Sequence, residues 1–291
     1  MNIRTDLALE GIKTANVKSG IKEYKRGRSF KVTEIIIDND NYLQTIGKGK
    51  GRYITLECSR LSKFSDEYED MAQELASELK QLIPEGEALV VGLGNNDITP
   101  DALGPQTAAK VLATRHLQDE FTAEEEFLTS LRRVSVFAGG VLGQTGIETA
   151  EIVKAVCREI KPSVIIVVDA LACSDISRLG TTIQISDTGI SPGSGVSNTR
   201  KELSYKVFGV PVIAVGVPTV VDMHTIVQSL TGSEPDRSLP NMMVTPRDVD
   251  RLTERAAQLI SFGINLAFLK LPICIGKNAL TEVILTKKKK N

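Results

Sequence analysis

The sequence is poor in the residues that build most metal and redox sites. Its 291 residues include two His, four Cys and no Trp. His116 and His224 are far apart in the chain and no HExxH pattern occurs, which excludes the zinc site of the zincin proteases. The four Cys form no CxxC pair, so neither a closed structural zinc site nor a thioredoxin-like redox motif is expected.

Charge and hydropathy are also without extremes. The 35 Lys and Arg residues nearly balance the 36 Asp and Glu residues. A net charge of −1 lacks the excess of positive charge that is typical of nucleic-acid-binding proteins. No run of about 18 apolar residues occurs, and the first ten residues lack the apolar core of a signal peptide. Scattered Cys are typical of free thiols in a reducing compartment. We therefore expect a cytoplasmic protein that contacts neither membrane nor nucleic acid directly.

The hydrophobic pattern predicts an α/β fold in one domain. Residues 1–30 are polar, which favours an irregular arm, and an antiparallel strand pair is expected to follow it. Short apolar runs then alternate with helical stretches, which predicts a three-layer, mostly parallel central sheet with flanking helices and an N-terminal antiparallel β extension. Strands are expected at residues 31–38, 51–58, 88–93, 134–137, 164–168, 181–185 and 212–217, and helices at residues 67–82, 104–117, 146–160 and 246–268.

Two glycine-containing motifs begin like known functional loops but lack a required residue. The turn at residues 92–94 opens a dinucleotide-binding pattern, yet Asp97 stands where the last Gly is needed and would repel a pyrophosphate. Residues 189–193 match GxSxG, but the residue after the Ser is Pro192, which has no N–H to donate to an oxyanion. We therefore expect neither an organic cofactor nor a serine nucleophile.

The stretch around this second motif is a candidate substrate loop. It contains Asp187, Gly193, Ser194 and Gly195, and its small residues would allow the backbone to approach a bound peptide closely. An ordinary Gly-rich surface loop explains the composition equally well.

Two carboxylates stand where open α/β sheets bind their ligands. Asp169 directly follows the apolar run at residues 164–168, at the carboxyl end of a core strand. Asp101 follows the strand that ends near Leu93, at the same end of the sheet. Two carboxyl groups held close together share a proton and can act as general base and general acid on water. Spacing alone leaves open that Asp101 only begins a helix and that Asp169 only caps a loop.

Long motifs are spread in a fixed order over nearly the whole chain. They are IRTDLALE at 3–10, GRYITLE at 51–57, VGLGNNDITPDALGP at 91–105, TRHL at 114–117, GQTGIETAEIVK at 143–154, VIIVVDALA at 164–172, TTIQISDTGISPGSGVSNTRKELS at 181–204, GVPVIAVGVPTVVD at 209–222 and MMVTPRDVDRL at 242–252. In these motifs the chain resembles the germination protease family, the spore proteases of endospore-forming bacteria.

The resemblance implies an endopeptidase that degrades small acid-soluble spore proteins during germination, cutting after an acidic residue. It also implies a phosphorylase/hydrolase-like fold, similar to that of hydrogenase maturation proteases, and a homotetramer in the forespore or spore core. The family's two proposed catalytic residues fall on Asp101 in TPDALGP and Asp169 in VVDALA. No metal is carried over from the maturation proteases, because no matching His can be placed here.

A self-processing zymogen is a further implication of the resemblance. The family's cleavage motif falls on residues 4–8, with the cut between Asp6 and Leu7. Residues 1–6 are then the expected prosegment, and so short a prosegment is expected to restrain the enzyme weakly. Residues 7–291 are expected to form one catalytic domain.

Recognition of the acidic residue before the cut calls for a cation. Arg4, Arg200 and Lys201 are the candidates by charge. Two other functions remain open at this stage, a metal-dependent maturation peptidase of the hydrogenase type and a protein that binds spore proteins without cutting them.

Overall fold

The strands of the protein form one mixed sheet. The computed structural model describes residues 5–15, 21–38, 48–63, 67–117, 131–193, 200–236, 238 and 240–269. The strands within these residues are β1 Ile21–Arg26, β2 Lys31–Ile37, β3 Gly51–Glu57, β4 Ala88–Gly92, β5 Val134–Phe137, β6 Val164–Cys173, β7 Thr182–Ser186, β8 Val212–Asp222 and β9 Met243–Val244. Their order across the sheet is β1-β2-β3-β7-β8-β6-β4-β5, and β9 pairs with β8.

Helices of very different lengths connect the strands. The helices within the described residues are α1 Ala8–Ala15, α2 Tyr68–Lys80, α3 Leu103–Ala108, α4 Leu142–Thr145, α5 Thr149–Ile160, α6 Tyr205–Phe208, α7 Met223–Thr231 and α8 Val249–Phe268. Short 3-10 turns span Thr99–Asp101 and Ile176–Arg178. None of the helices in the described part of the chain is both long and apolar enough to cross a membrane.

The centre of the sheet is parallel. β5, β4, β6 and β8 run in the same direction, and the residues of β4 are buried throughout. Such strands consist of Val, Ile and Leu because both faces of a parallel sheet are covered. β4 is five residues long whereas β6 has ten, and the last β4 pair joins Gly92 to Val168. From Asp169 onward, β6 therefore no longer pairs with β4.

The N-terminal strands extend the same sheet in antiparallel fashion. β7 is antiparallel to both β8 and β3, and β3, β2 and β1 follow as an antiparallel series. The predicted strand pair at residues 31–38 and 51–58 is confirmed, with Thr33 opposite Thr55. The α/β class, with parallel central strands and an N-terminal antiparallel extension, is confirmed.

Helices cover both faces of the sheet, which gives three layers. α2 and α8 pack on one face through residues such as Leu75 and Ile260. On the opposite face, Val153 of α5 packs against the parallel strands, and Ala8 of α1 packs against β2 and β3. Asp169 lies on this second face, since it alternates with the side chains of β6 that contact α2 and α8.

Three sequence predictions differ from the structure. Residues 1–30 are not irregular throughout, because α1 and β1 form within them. The helix predicted at residues 104–117 ends at Ala108 and gives way to turns. The helix predicted to begin at residue 146 begins at Thr149, because Gly146 adopts a positive φ of 70° and ends α4.

Candidate active site

Asp169 lies inside β6, one residue beyond the point where β4 ends. It pairs with Gly216 of β8, and its Oδ1 accepts a hydrogen bond from the N–H of Ala170 at 2.9 Å. The prediction that it would follow the strand is wrong in detail, because β6 continues to Cys173. The neighbouring strand β4 is the one that ends, opposite Val168, and the candidate site lies at its carboxyl end.

Asp101 belongs to the 3-10 turn that follows β4. Its Oδ2 accepts a hydrogen bond from the N–H of Asn95 at 2.7 Å, which closes the loop between them. Gly94 has a φ of 108°, and a Cβ there would lie 2.0 Å from the carbonyl oxygen of Asp101. The hydroxyl of Thr219 on β8 donates to the carbonyl of Pro100 at 2.7 Å. The close approach that Gly94 allows and these two hydrogen bonds therefore hold the turn against the sheet.

The close packing of Gly104 fixes this turn relative to β6. A Cβ at residue 104 would lie 2.1 Å from the carbonyl oxygen of Leu93 and 2.4 Å from that of Val168. The start of α3 thus contacts the end of β4 and the residue just before Asp169. This contact fixes the backbone that carries Asp101 relative to the backbone that carries Asp169.

The two predicted carboxyl groups interact electrostatically. Burial raises the pKa of Asp101, which the N–H of Asn95 and the guanidinium of Arg200 oppose. Burial raises the pKa of Asp169 well above its usual range, and the charges of Asp101 and Asp6 raise it further. Since Asp169 is buried and the charge of Asp101 opposes its ionisation, the two carboxyl groups do not both ionise easily. The structure thus brings together the two residues that the sequence singled out.

The predicted cleavage junction lies along β6, close to Asp169. The N–H of Asp6 donates to the carbonyl of Ala172 at 2.9 Å, and the N–H of Ala172 donates to Asp6 Oδ2 at 2.9 Å. Leu7 is fully buried in a cluster with Leu171 and Val221. The segment before α1 thus follows β6 within a few residues of Asp169.

Two side chains contact the carbonyl oxygen of Asp6, which belongs to the peptide bond with Leu7. Lys48 Nζ donates to this oxygen at 2.8 Å, and Gln184 Nε2 donates to it at 2.9 Å. Gln184 Oε1 also accepts the N–H of Ala8 at 2.8 Å. Sequence reasoning missed both residues. Their contacts depend on a loop residue and on strand register, neither of which leaves a periodic signal.

Glu10 anchors the other end of this segment. Its carboxylate accepts the N–H and the hydroxyl of Ser174 at 2.7 Å each, and the N–H of Asp175 at 3.1 Å. Arg178 Nε lies 3.6 Å from it, in buried surroundings. Glu10 also accepts a hydrogen bond from the hydroxyl of Thr5. The cleavage junction is therefore held on both sides.

The predicted substrate loop has a local structural role where it is described. Asp187 accepts the N–H of Arg52 at 2.7 Å at the start of β3, and Gly193 has a φ of 72°. Ser194 and Gly195 lie outside the described residues. The structure does not bring Asp187 into contact with the carboxyl pair.

The three candidate cations differ in their placement. Arg200 is close enough to lower the pKa of both Asp101 and Asp169, against the effect of burial. Lys201 forms an ion pair with Glu151 on the surface. Arg4 lies outside the described residues.

Among the described residues there is neither a group of metal ligands nor a pair of bonded thiols. No group of three or more His, Cys, Asp or Glu side chains in the described ranges has an arrangement that could hold a metal ion. Cys58, Cys157 and Cys173 are free thiols, and Cys173 is buried.

Comparison with known proteins identifies the family of the chain. A family model described as germination protease matches residues 6–231. The chain belongs to the germination protease family. The germination protease of Clostridium tetani is 41% identical over 311 aligned positions, covering 92% of this chain and 95% of that protein. The germination protease of Bacillus subtilis is 43% identical, covering 77% of this chain and 64% of that protein. This germination protease family member is therefore a protease.

A solved structure offers a weaker likeness. The NiFe hydrogenase maturation protease HycI from Thermococcus kodakarensis matches 64% of this chain and 98% of its own, with a TM-score of 0.36 and 17% identity. At that level of likeness the match has no bearing on the site. The germination protease assignment rests on sequence.

Proposed function

We propose that the chain is a self-processing zymogen of an endopeptidase that degrades small acid-soluble spore proteins during germination. It cleaves after an acidic residue, and Asp101 and Asp169 activate the attacking water. The observation that carries this proposal is the placement of Asp101 and Asp169 at the carboxyl end of β4, with the Asp6–Leu7 segment hydrogen-bonded to the same strand as Asp169. Family membership supports the protease class.

The mechanism divides the acid and base roles between the two carboxyl groups. Asp101, the first to ionise, takes a proton from water as the water oxygen adds to the peptide carbonyl carbon. Asp169, whose pKa is raised further by the charge of Asp101, gives its proton to the leaving nitrogen as the C–N bond breaks. The proton on Asp101 then returns to Asp169, which restores the starting state.

Self-processing is proposed to occur within one chain. Leu7 is completely buried and Asp6 is hydrogen-bonded along β6, so a second copy of the enzyme has little access to the junction. Cleavage would separate residues 1–6 from a single catalytic domain of residues 7–291. A first-order rate that is independent of protein concentration is the expected sign of this reaction.

The mode of binding of Asp6 suggests how a substrate is read. Its carboxylate accepts the N–H of Ala172, and Arg200 supplies positive charge to the neighbouring Asp169. An acidic residue of a spore protein would occupy the same place once residues 1–6 have left. Of the cations that the sequence suggested, we propose Arg200 rather than Lys201 for this subsite, because Lys201 is paired with Glu151. Lys48, on which the Asp6 carboxylate also acts, lies beside the same residue.

Intact mass spectrometry tests the proposal. Purified wild-type protein, incubated at mildly acidic pH, should lose residues 1–6, while Asp101→Asn and Asp169→Asn should do so about 10²- to 10⁴-fold more slowly. Asp70→Asn, at an exposed position on α2, is the matched control and should process normally. Near-wild-type processing by either active-site variant would refute the paired-Asp mechanism.

The other two functions make different predictions in the same preparation. A metal-dependent peptidase would lose activity with a chelator and regain it with added metal. A protein that only binds spore proteins would neither shorten itself nor cut an added spore protein. We expect the protein to remove its own residues 1–6 and to cut an added spore protein, and we expect a chelator to affect neither reaction.

Location and assembly complete the proposal. We propose that the enzyme acts in the cytoplasm of the forespore and in the spore core, as a homotetramer, without direct contact with nucleic acid or membrane. Fractionation of sporulating cells and light scattering of the purified protein test these two points separately.

A further inference from the structure

The carbonyl oxygen of the Asp6–Leu7 peptide bond has unusual surroundings. It accepts hydrogen bonds from Lys48 Nζ at 2.8 Å and from Gln184 Nε2 at 2.9 Å. Both donors are side chains, and one of them ends in an amine that can carry a positive charge. Two convergent donors on one carbonyl oxygen are the arrangement that stabilises negative charge on that atom during acyl transfer.

Strand register places one of these donors on the same face of the sheet as Asp169. Gln184 of β7 pairs with Gly216 of β8, and Gly216 pairs with Asp169 of β6. Directly paired residues point to the same face, so the side chains of Gln184 and Asp169 stand on either side of a residue without a side chain. A Cβ at residue 216 would lie 2.6 Å from Leu171 Cγ and 2.7 Å from the carbonyl oxygen of Asp169.

The environment of Lys48 suits an electrostatic role. The residue is half-buried, and burial lowers the pKa of its ammonium group while the Asp6 carboxylate opposes that shift. A cation partly removed from water interacts more strongly with a developing negative charge than one in bulk solvent. The Asp6 carboxylate beside it favours the charged form.

We propose that Lys48 and Gln184 are catalytic residues that stabilise the oxyanion formed at the Asp6 carbonyl during self-cleavage, an inference that rests on the proposed function. When the water oxygen bonds to the carbonyl carbon, Asp101 takes a proton from the water, the π electrons of the C=O bond move to its oxygen, and the two donors stabilise that charge. Re-formation of the C=O bond then breaks the C–N bond, and the leaving nitrogen takes the proton of Asp169. No further reactant is needed.

A simpler role for Gln184 has to be separated from this one. Because its amide donates to Asp6 and accepts from Ala8, it also acts as a clamp on the segment. A clamp would lower the cleavage rate only by loosening residues 5–10. A catalytic donor would lower it while the segment stays in place.

The experiment follows loss of residues 1–6 by intact mass in Lys48→Met, Lys48→Arg and Gln184→Met. We expect Lys48→Met and Gln184→Met each to slow the first-order rate by about 10²-fold, the effect typical of losing one oxyanion donor. Lys48→Arg keeps a cationic donor and should recover about tenfold of that loss. Lys154→Met, at an exposed position on α5, is the matched control and should process at the wild-type rate.

Hydrogen exchange separates catalysis from clamping. It is measured on residues 5–10 in the Asp169→Asn background, so that the junction stays intact. Unchanged protection on adding Lys48→Met or Gln184→Met, together with the slower processing, supports the oxyanion role. Loss of protection in proportion to the loss of rate would overturn it in favour of a clamp.

The remaining outcomes distinguish this inference from the proposed function. Wild-type rates in both Lys48→Met and Gln184→Met, with processing abolished in Asp169→Asn, would refute the oxyanion role and leave the paired-Asp mechanism standing. A wild-type protein that cuts an added spore protein but never loses residues 1–6 would refute self-processing, and the inference with it. A wild-type protein that does neither would refute the proposed function itself.

Discussion

Replacing Gly104 by alanine should move Asp101 away from Asp169. The added Cβ would lie 2.1 Å from the carbonyl oxygen of Leu93 and 2.4 Å from that of Val168, whereas ordinary contact begins at 3.4 Å. Both neighbours are backbone atoms, so α3 and the turn before it must shift by about 1 Å. A displacement of about 1 Å at a catalytic group costs about 10²-fold in rate, and overpacking costs about 1–3 kcal/mol in the free energy of unfolding.

The assays are the rate of loss of residues 1–6, the rate of cleavage of a spore protein, and urea unfolding. Gly143→Ala is the control, because in the described part of the chain no atom beyond its own helix and chain neighbours would lie within 4 Å of a Cβ at that position of α4. We expect the control to match wild type in both rates and to be no less stable. Wild-type rates and stability in Gly104→Ala would refute the argument that this close approach positions Asp101.

The other predictions concern pH and the anchor of the N-terminal segment. Because the pKa of Asp101 is raised by burial and that of Asp169 is raised further, activity should follow a bell-shaped pH profile. A profile without the alkaline limb would contradict the acid role of Asp169. The folded state holds the proton of Asp169 more tightly than the unfolded state, so the free energy of unfolding should fall as pH rises from about 4 through the folded-state pKa. Asp169→Asn should flatten that fall in urea titrations. Glu10→Gln should reduce the free energy of unfolding by about 1–3 kcal/mol through loss of charged hydrogen bonds, whereas the exposed control Glu159→Gln should not.

The central strands could be predicted because their burial determines their composition. The run at residues 164–168 is apolar without alternation since helices cover both faces of β6. The same logic located the end of β4 to within one residue and the end of the apolar run in β6, and with them the neighbourhood of Asp101 and Asp169. It failed for α1, a short helix in a polar stretch whose stability depends on packing against β2 and β3.

The length of β6 could not be predicted from its own sequence. Residues 169–173 continue the strand although a carboxylate interrupts the apolar run, because pairing with β8 persists to Cys173. Asp169 is accommodated there since β4 has already ended at Gly92 and the N-terminal segment takes the place beside β6. The site therefore depends on a mismatch between the lengths of two neighbouring strands.

Lys48 and Gln184 illustrate a second limit. Gln184 alternates with buried Ile183 and Ile185, so its position predicts only that it faces away from α2 and α8. Its closeness to Asp6 follows from the order of β6, β8 and β7, which pairs strands from distant parts of the sequence. Lys48 lies in a polar connection without any periodic pattern.

The contacts of Asp6 bear on how a zymogen of the proposed kind would be restrained. The sequence predicts weak restraint by a short prosegment, on the assumption that length determines how well the site is covered. In the structure Asp6 itself accepts the N–H of Ala172, and its carbonyl contacts Lys48 and Gln184. On the proposed mechanism, these are the groups that a substrate's acidic residue and scissile carbonyl need. Leu7 belongs to a buried cluster, so on this proposal it stays in place after the cut and departure of Asp6 alone would free the site. Restraint then depends on occupation by one residue and its peptide bond, whatever the number of residues before it.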